Sequence, residues 1–273
     1  MNRLKNKVVV VFGGARGIGA ATARECVAEG AQVYSCDIRE IDDPELSAQC
    51  SHSIVDATNE HQVAAFVASV VAETGRVDVL FSNVGIHLGK PLADATVEDF
   101  NSVFSLNVRS TFLAVREVLP HMIRGGGGSI VINSSNGGLM GRPADPVYNA
   151  SKHALVGLAK SIAVAHAHQG IRANTVNPGG IMTDMLLGTV ENADQVASDD
   201  LQRRFSASTP AARVGQPWEV AKAVVFLASD ESRFVNGIAL AVDGAKAAGA
   251  MPANRYALDF ELGIDRDARY PAN

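Results

Sequence analysis

Apolar positions along the chain come in two alternating patterns: short unbroken runs, and longer stretches with helical spacing. Val8–Phe12 is a β-branched run closed by Gly13, the pattern of a strand covered on both faces. Residues 20–28 are helix formers leading to Gly30, a natural helix stop. A second strand is expected over 32–36, ending at Asp37, and a short third over 53–55, ending at Asp56. Residues 60–73 then read as a helix stopped by Gly75, 77–82 as a fourth strand and 83–91 as a loop. Helical patterns at 97–107 and 108–123 precede four glycines at 125–128 and a strand over 129–133. A long apolar-rich helix is expected over 148–168, then a strand over 171–176 that runs into Asn177-Pro178-Gly179-Gly180. Residues 183–208 are polar and helical in pattern. Pro217–Ala228 is a helix with proline in its first turn, and 238–242 is the last strand.

Strands separated by helical segments throughout predict βαβ units, hence a parallel sheet of about seven strands with helices on both faces. No intervening stretch has the composition of a linker, so residues 1–244 are expected to form one domain. Residues 245–273 differ, with Pro252, Asn254, Pro271, mixed charges and little periodicity. Two readings of this tail stand open: a frayed end, or an intersubunit arm docked through Phe260 and Leu262.

Composition narrows the function. Hydrophobic residues make up 47% of the chain and charged residues 19%, below the roughly 25% of an average globular protein, which excludes a disordered chain. A net charge of −5 gives no reason to expect a nucleic-acid partner. Cys26, Cys36 and Cys50 form no metal or disulfide spacing, and no His/Asp/Glu grouping implies a metal. No apolar run is long enough for a membrane span. A cytoplasmic enzyme is the expectation.

Gly13-Gly14-Ala15-Arg16-Gly17-Ile18-Gly19 lies between the first strand and the first helix. Glycines there allow a tight turn and bring backbone N–H groups to a pyrophosphate at the helix N-terminus. Asp37, at the end of the second strand, can accept hydrogen bonds from both adenosine ribose hydroxyls and would repel a 2′-phosphate. Arg16 and Arg39 pull the other way, since either could reach such a phosphate. The carboxylate at the ribose position favours NAD, with NADP the alternative.

The G-x-x-x-G-x-G spacing, Asn83-Val84-Gly85 after the fourth strand, Asn107-Val108, Ser134-Ser135, Tyr148-Asn149-Ala150-Ser151-Lys152 and Pro178-Gly179 with Thr183 resemble, in this order, the short-chain dehydrogenase/reductase family. The resemblance runs from about Lys7 to Gly244. It implies a single-domain, Rossmann-like, doubly wound α/β fold, with residues 183–208 as a substrate lid. It also implies a dinucleotide site of Gly13, Arg16, Gly17, Ile18, Gly19, Asp37, Ile38, Asp56, Ala57, Asn83, Val84, Gly85, Tyr148, Lys152, Pro178, Gly179, Ile181 and Thr183. The chain departs from the family at Phe12, where a threonine usually ties two loops. It departs again at Ser82-Asn83-Val84, in place of Asn-Asn-Ala, and at Ala245, in place of a glycine.

Tyr148 and Lys152 stand i and i+4 on one helix and so share a face. A phenol is a poor base at neutral pH; an adjacent ammonium and a positively charged nicotinamide would favour the phenolate. Tyr148 can then take the alcohol proton in oxidation or return it in reduction. The family spacing gives Ser135, rather than Ser134, the role of binding the substrate oxygen. The resemblance further implies that Lys152 holds the nicotinamide ribose and that Asn107 fixes a water beside Lys152, completing a proton path. His87, Asn136, Arg142, Met182, Met185 and Leu186, with Leu88 and Asp145, are candidates to line the substrate cleft. Arg142 could grip a carboxylate, although an exposed structural arginine is the stronger reading.

These residues predict an NAD-dependent oxidoreductase acting on a secondary alcohol or its ketone. The alternatives are an NADP-preferring ketoreductase and a dinucleotide-sensing protein without turnover; the intact Asn107/Ser135/Tyr148/Lys152 set argues against the sensor. A nucleotide-sugar dehydratase or epimerase would need more sequence after the sixth strand. Phe112, Leu113, Val156, Ala159, Ile162 and Ala163 supply more apolar side chain than one sheet face should need, and relatives in the resembled family pair these helices. A homotetramer, or a homodimer, is therefore expected.

Overall fold

Five consecutive apolar residues, Val8–Phe12 (β1), are buried on both faces, as expected of a strand in the middle of a parallel sheet. The computed structural model, which describes residues 2–187 and 209–249, places β1 beside Gln32–Asp37 (β2) and Val79–Ser82 (β4). With Ser51–Ile54 (β3), Gly128–Asn133 (β5), Ile171–Pro178 (β6) and Ala239–Val242 (β7), they form a seven-stranded sheet of order β3-β2-β1-β4-β5-β6-β7. Every pairing is parallel. The chain winds outward from β1 to β3, returns to β4 and winds the other way. That reversal opens a crevice at the carboxyl ends of β1 and β4, where such sheets bind ligands.

The connections are Gly17–Ala28 (α1), Pro44–Gln49 (α2), Glu60–Thr74 (α3), Val97–Phe104 (α4), Ser110–Arg124 (α5), Pro146–His166 (α6), Asp184–Leu187 (α7) and Pro217–Ala228 (α8). Alternate strand residues face opposite layers. Val8, Val10, Phe12, Leu80, Ile130 and Ile132 pack with α3, α5 and α6, and Val9, Val11, Phe81 and Val131 pack with α1 and α8. Some helix starts carry side-chain caps: the Asn59 side chain accepts from His61 and Gln62 N–H at the head of α3, and Thr96 with Asp99 forms a capping box on α4.

Several boundaries depart from the sequence expectation. α1 begins at Gly17 rather than 20, and α6 at Pro146 rather than Tyr148. α2 was not expected; Asp43 caps it and Pro44 opens it, but Leu46 is its one buried residue, so it leaves no periodic trace. The two helices expected around 107 and 108 run together through a π turn, Ser105–Arg109. The expected lid begins with α7, and its residues 188–208 lie outside the described residues, as does the tail from 250 onward.

The apolar surplus assigned to subunit contact is mostly consumed by the chain itself. Leu113, Ala159, Ile162 and Ala163 belong to the core against the sheet and Val156 is buried, whereas Phe112 remains 47% exposed. Phe12 is core as well, its ring edge-on to Phe66 at 5.5 Å. The loop tie expected to be missing at that position is supplied from elsewhere, because Asn83 Nδ2 donates to Gly13 O at 2.8 Å.

Candidate active site

Gly13 (φ 79°) and Gly17 (φ 56°) bend the chain between β1 and α1 through left-handed backbone that other residues resist. Gly19 serves packing instead: a Cβ there would lie 1.8 Å from Gly13 O. The turn forms one end of a cavity of about 610 Å3 that continues along the carboxyl ends of the strands to Tyr148. Gly13, Arg16, Gly17 and Ile18 line it, with Asp37, Ile38, Arg39, Asp56 and Ala57 beside them. Asn83, Val84 and Gly85 form its floor beside β4, and Pro178, Gly179, Ile181 and Thr183 close it after β6.

The residues at this end fit a nicotinamide dinucleotide. The open N-terminus of α1 can receive a pyrophosphate, since Arg16 provides no side-chain cap. Asp37 accepts from Ala15 N–H through Oδ2 at 3.2 Å, fixing its carboxylate at the rim. Asp56 is held by Thr58 through both N–H and hydroxyl. Arg16, one of the two cations weighed for a 2′-phosphate, is paired with Asp184 of α7 at 3.0 Å. The His52 ring reaches the Arg39 carbonyl at 2.8 Å and the Ser35 hydroxyl at 2.7 Å, tying down the loop after β2.

At the other end, Tyr148 and Lys152 emerge one turn apart from α6, both buried, with Lys152 Nζ 5.6 Å from the Tyr148 ring centroid. Ser135, just past β5, neighbours Tyr148, and its hydroxyl accepts from Gly137 N–H at 3.1 Å. Ser134 turns away and donates to Lys152 O at 2.8 Å, so only one of the two serines faces the tyrosine. Asn177 Nδ2 holds the Ser135 carbonyl at 2.8 Å.

Burial is the largest influence on Tyr148 and Lys152 at this end. It pushes the Tyr148 phenol up; the Ser135 hydroxyl and the Arg142 cation oppose that rise, and the Asp145 carboxylate adds to it. Lys152 shares the buried cluster with Tyr148. Its own ammonium is desolvated and pushed down to about 8 by burial, and Nζ donates to Asn133 O at 3.0 Å.

Asn107, fully buried in the π turn, does not line the cavity. Its Oδ1 accepts from Ile86 N–H at 2.8 Å, and its Nδ2 donates to Ile86 O at 3.1 Å and to Ser151 Oγ at 2.9 Å. The side chain thus clamps the loop after β4. A Cβ on Gly85 would come within 3.0 Å of Asn107 Oδ1 and 3.4 Å of Lys152 Nζ, so this glycine lets the two groups approach.

Of the substrate candidates, His87, Asn136, Arg142, Met185 and Leu186 line the cavity; Met182, Leu88 and Asp145 do not. Arg142 is a cavity residue and an ion-pair partner at once, 3.0 Å from Asp145. Ile86, Leu106, Asn133, Thr209, Val214 and Lys246 line the cavity without having been expected to. Asn133 had a signal, its place at the end of a strand. Lys246 lies past the expected boundary at 244, so the start of the tail belongs to the site.

The family model described as Enoyl-(Acyl carrier protein) reductase matches residues 13–245. The cyclopentanol dehydrogenase of Comamonas sp. is 39% identical over 255 residues, covering 89% of this chain and 98% of its own. The ligand-free aldohexose dehydrogenase of Thermoplasma acidophilum superposes with a TM-score of 0.86 at 32% identity, covering 92% of this chain and 98% of that one. A structure of ElxO with NADP bound gives 0.82 at 32% identity, covering 89% and 100%. The chain belongs to the short-chain dehydrogenase/reductase family. It is an oxidoreductase on a single-sheet Rossmann-like fold.

Proposed function

We propose that the enzyme transfers a hydride between a secondary alcohol or its ketone and NAD, with Tyr148 as the general acid/base. The observation that carries this reading is the meeting of Tyr148, Ser135 and Lys152 in one buried cluster, in a cavity whose other end presents Asp37. The bound nicotinamide would supply the accepting or donating carbon for the hydride. Ser135 and Tyr148 hold the substrate oxygen, and Tyr148 takes its proton in oxidation and returns it in reduction. Lys152 would hold the ribose next to the nicotinamide. Asn107 fixes the Ile86 backbone that walls the site, and a water beside Lys152 remains part of the proposed proton path.

NAD is favoured because the fixed Asp37 carboxylate would repel a 2′-phosphate, while Arg16 is already engaged by Asp184. Arg39 on the cavity wall is the observation that favours NADP as the second reading. Absorbance of reduced nicotinamide, followed with NAD and NADP over a panel of secondary alcohols, tests both points. Tyr148→Phe is the control. Faster turnover with NADP overturns the Asp37 argument, and full activity of Tyr148→Phe overturns the proton assignment.

The same proposal extends to a homotetramer. The stacked Phe100 and Phe104 rings, with exposed Phe112, Val164 and Phe234, leave apolar side chains at the surface. Light scattering at micromolar concentration should give four times the chain mass; a monomer mass overturns it.

A further inference from the structure

His87 and Asp145 form a pair that the proposed proton transfer does not use. Asp145 occupies the N-cap of α6, where an aspartate ordinarily accepts from the free N–H groups of the first turn. Its side chain makes no such bond. Instead Oδ2 lies 2.9 Å from His87 Nε2 and 3.0 Å from Arg142 Nη2, in a residue only 1% exposed. Nε2 of His87 is thereby engaged by the Asp145 carboxyl group. The other ring nitrogen, Nδ1, has no hydrogen-bond partner among the described residues. The ring stands edge-on to Tyr148, centroids 4.8 Å apart at 66°, and both residues line the cavity. The site therefore holds, beside the tyrosine, a second polar group oriented from behind by a buried carboxylate.

We propose that His87, oriented by Asp145, is a specificity-determining residue that binds a second oxygen of the substrate. The preferred substrates are then secondary alcohols with a hydroxyl on an adjacent carbon, and the hydroxyketones formed from them. This rests on the reaction proposed above. The reacting oxygen goes to Ser135 and Tyr148, and the neighbouring hydroxyl, able to donate or accept, hydrogen-bonds to His87 Nδ1. Two anchors on adjacent oxygens fix the orientation of the carbon that gives up the hydride. A substrate with one oxygen leaves the imidazole nitrogen facing hydrocarbon, and a site built for a hydrogen bond rejects the analogue that lacks it.

The test compares kcat/KM for a cyclohexane diol with adjacent hydroxyls and for cyclohexanol, in the wild type, His87→Phe and His87→Gln. Phenylalanine keeps a ring against Tyr148; glutamine restores a donor and an acceptor. The wild type should favour the diol at least tenfold. His87→Phe should lower that ratio at least tenfold, mainly through KM for the diol, and His87→Gln should recover part of it. A merely structural role lowers both alcohols together and leaves the ratio in place, which overturns the assignment, as does a wild type that does not discriminate. Tyr148-dependent oxidation of cyclohexanol in that same assay would leave the reaction standing while the His87 reading falls. No turnover of either alcohol overturns the reaction and this inference with it.

Discussion

Replacing Lys152 by methionine keeps the length of the side chain and removes its charge. Burial brings the Lys152 ammonium down from 10.5 to about 8. At about 1.4 kcal/mol per tenfold change, holding the charged amine costs the fold about 3 kcal/mol. Against this stands the bond from Nζ to Asn133 O, whose loss leaves a carbonyl short of a donor at a cost of about 1–2 kcal/mol. Lys152→Met should therefore be the more stable protein at pH 7 by about 1–2 kcal/mol, which raises Tm by roughly 2–6 °C for a chain of this size. The folded-state value lies below the unfolded one, so the wild type carries its penalty in full below pH 8 and sheds it as the pH approaches 10.5. Near pH 9.5 about half or less of the penalty remains, and the advantage of the variant should vanish or reverse. Thermal melts at the two pH values, alongside an assay in which the variant is inactive, measure each part. A variant less stable at pH 7, or a difference that does not change with pH, would refute the argument that burial of this amine strains the fold.

Gly19→Ala places a methyl group 1.8 Å from Gly13 O and should unfold the phosphate turn, seen as lost dinucleotide binding by titration calorimetry together with at least 2 kcal/mol of destabilisation. Asp37→Ser should weaken NAD binding about tenfold and narrow or invert the preference over NADP, read as the ratio of the two Kd values. Ala245 sits at φ 72°, where a Cβ is unfavourable. Ala245→Gly should stabilise the protein by about 0.5–1 kcal/mol in urea melts without loss of turnover.

The features that could be read from the chain are those written within a few residues of one another. β1 shows its two buried faces as five apolar residues, the phosphate turn shows its glycines, and Tyr148 and Lys152 show their shared helix face through spacing alone. α2 was hidden because six residues with one buried leucine carry no period. The π turn at Ser105–Arg109 was hidden because local sequence does not mark an extra residue in a helix. The rest of the site depends on contacts across the fold. His87 meets Asp145 over 58 positions, Asn107 meets the Ile86 backbone over 21, and Lys246 returns to the cavity from beyond the last strand. The charges acting on Tyr148 likewise depend on depth: Arg142 and Asp145 act on the phenol from other parts of the chain, and burial lowers the Lys152 ammonium that the spacing sets beside it.

The wide turn at Ser105–Arg109 also sets the phase of everything that follows it. Successive residues of an α-helix advance about 100° around the axis. Deleting one residue here to regularise the winding would therefore swing Leu113, Val118 and Met122 away from the sheet and bring solvent-facing positions in. It would also turn the Asn107 amide away from the wall it grips. The irregularity is thus protected against loss by the whole length of α5, and chain length in this stretch should be far less tolerant of insertion or deletion than the surface loops around it.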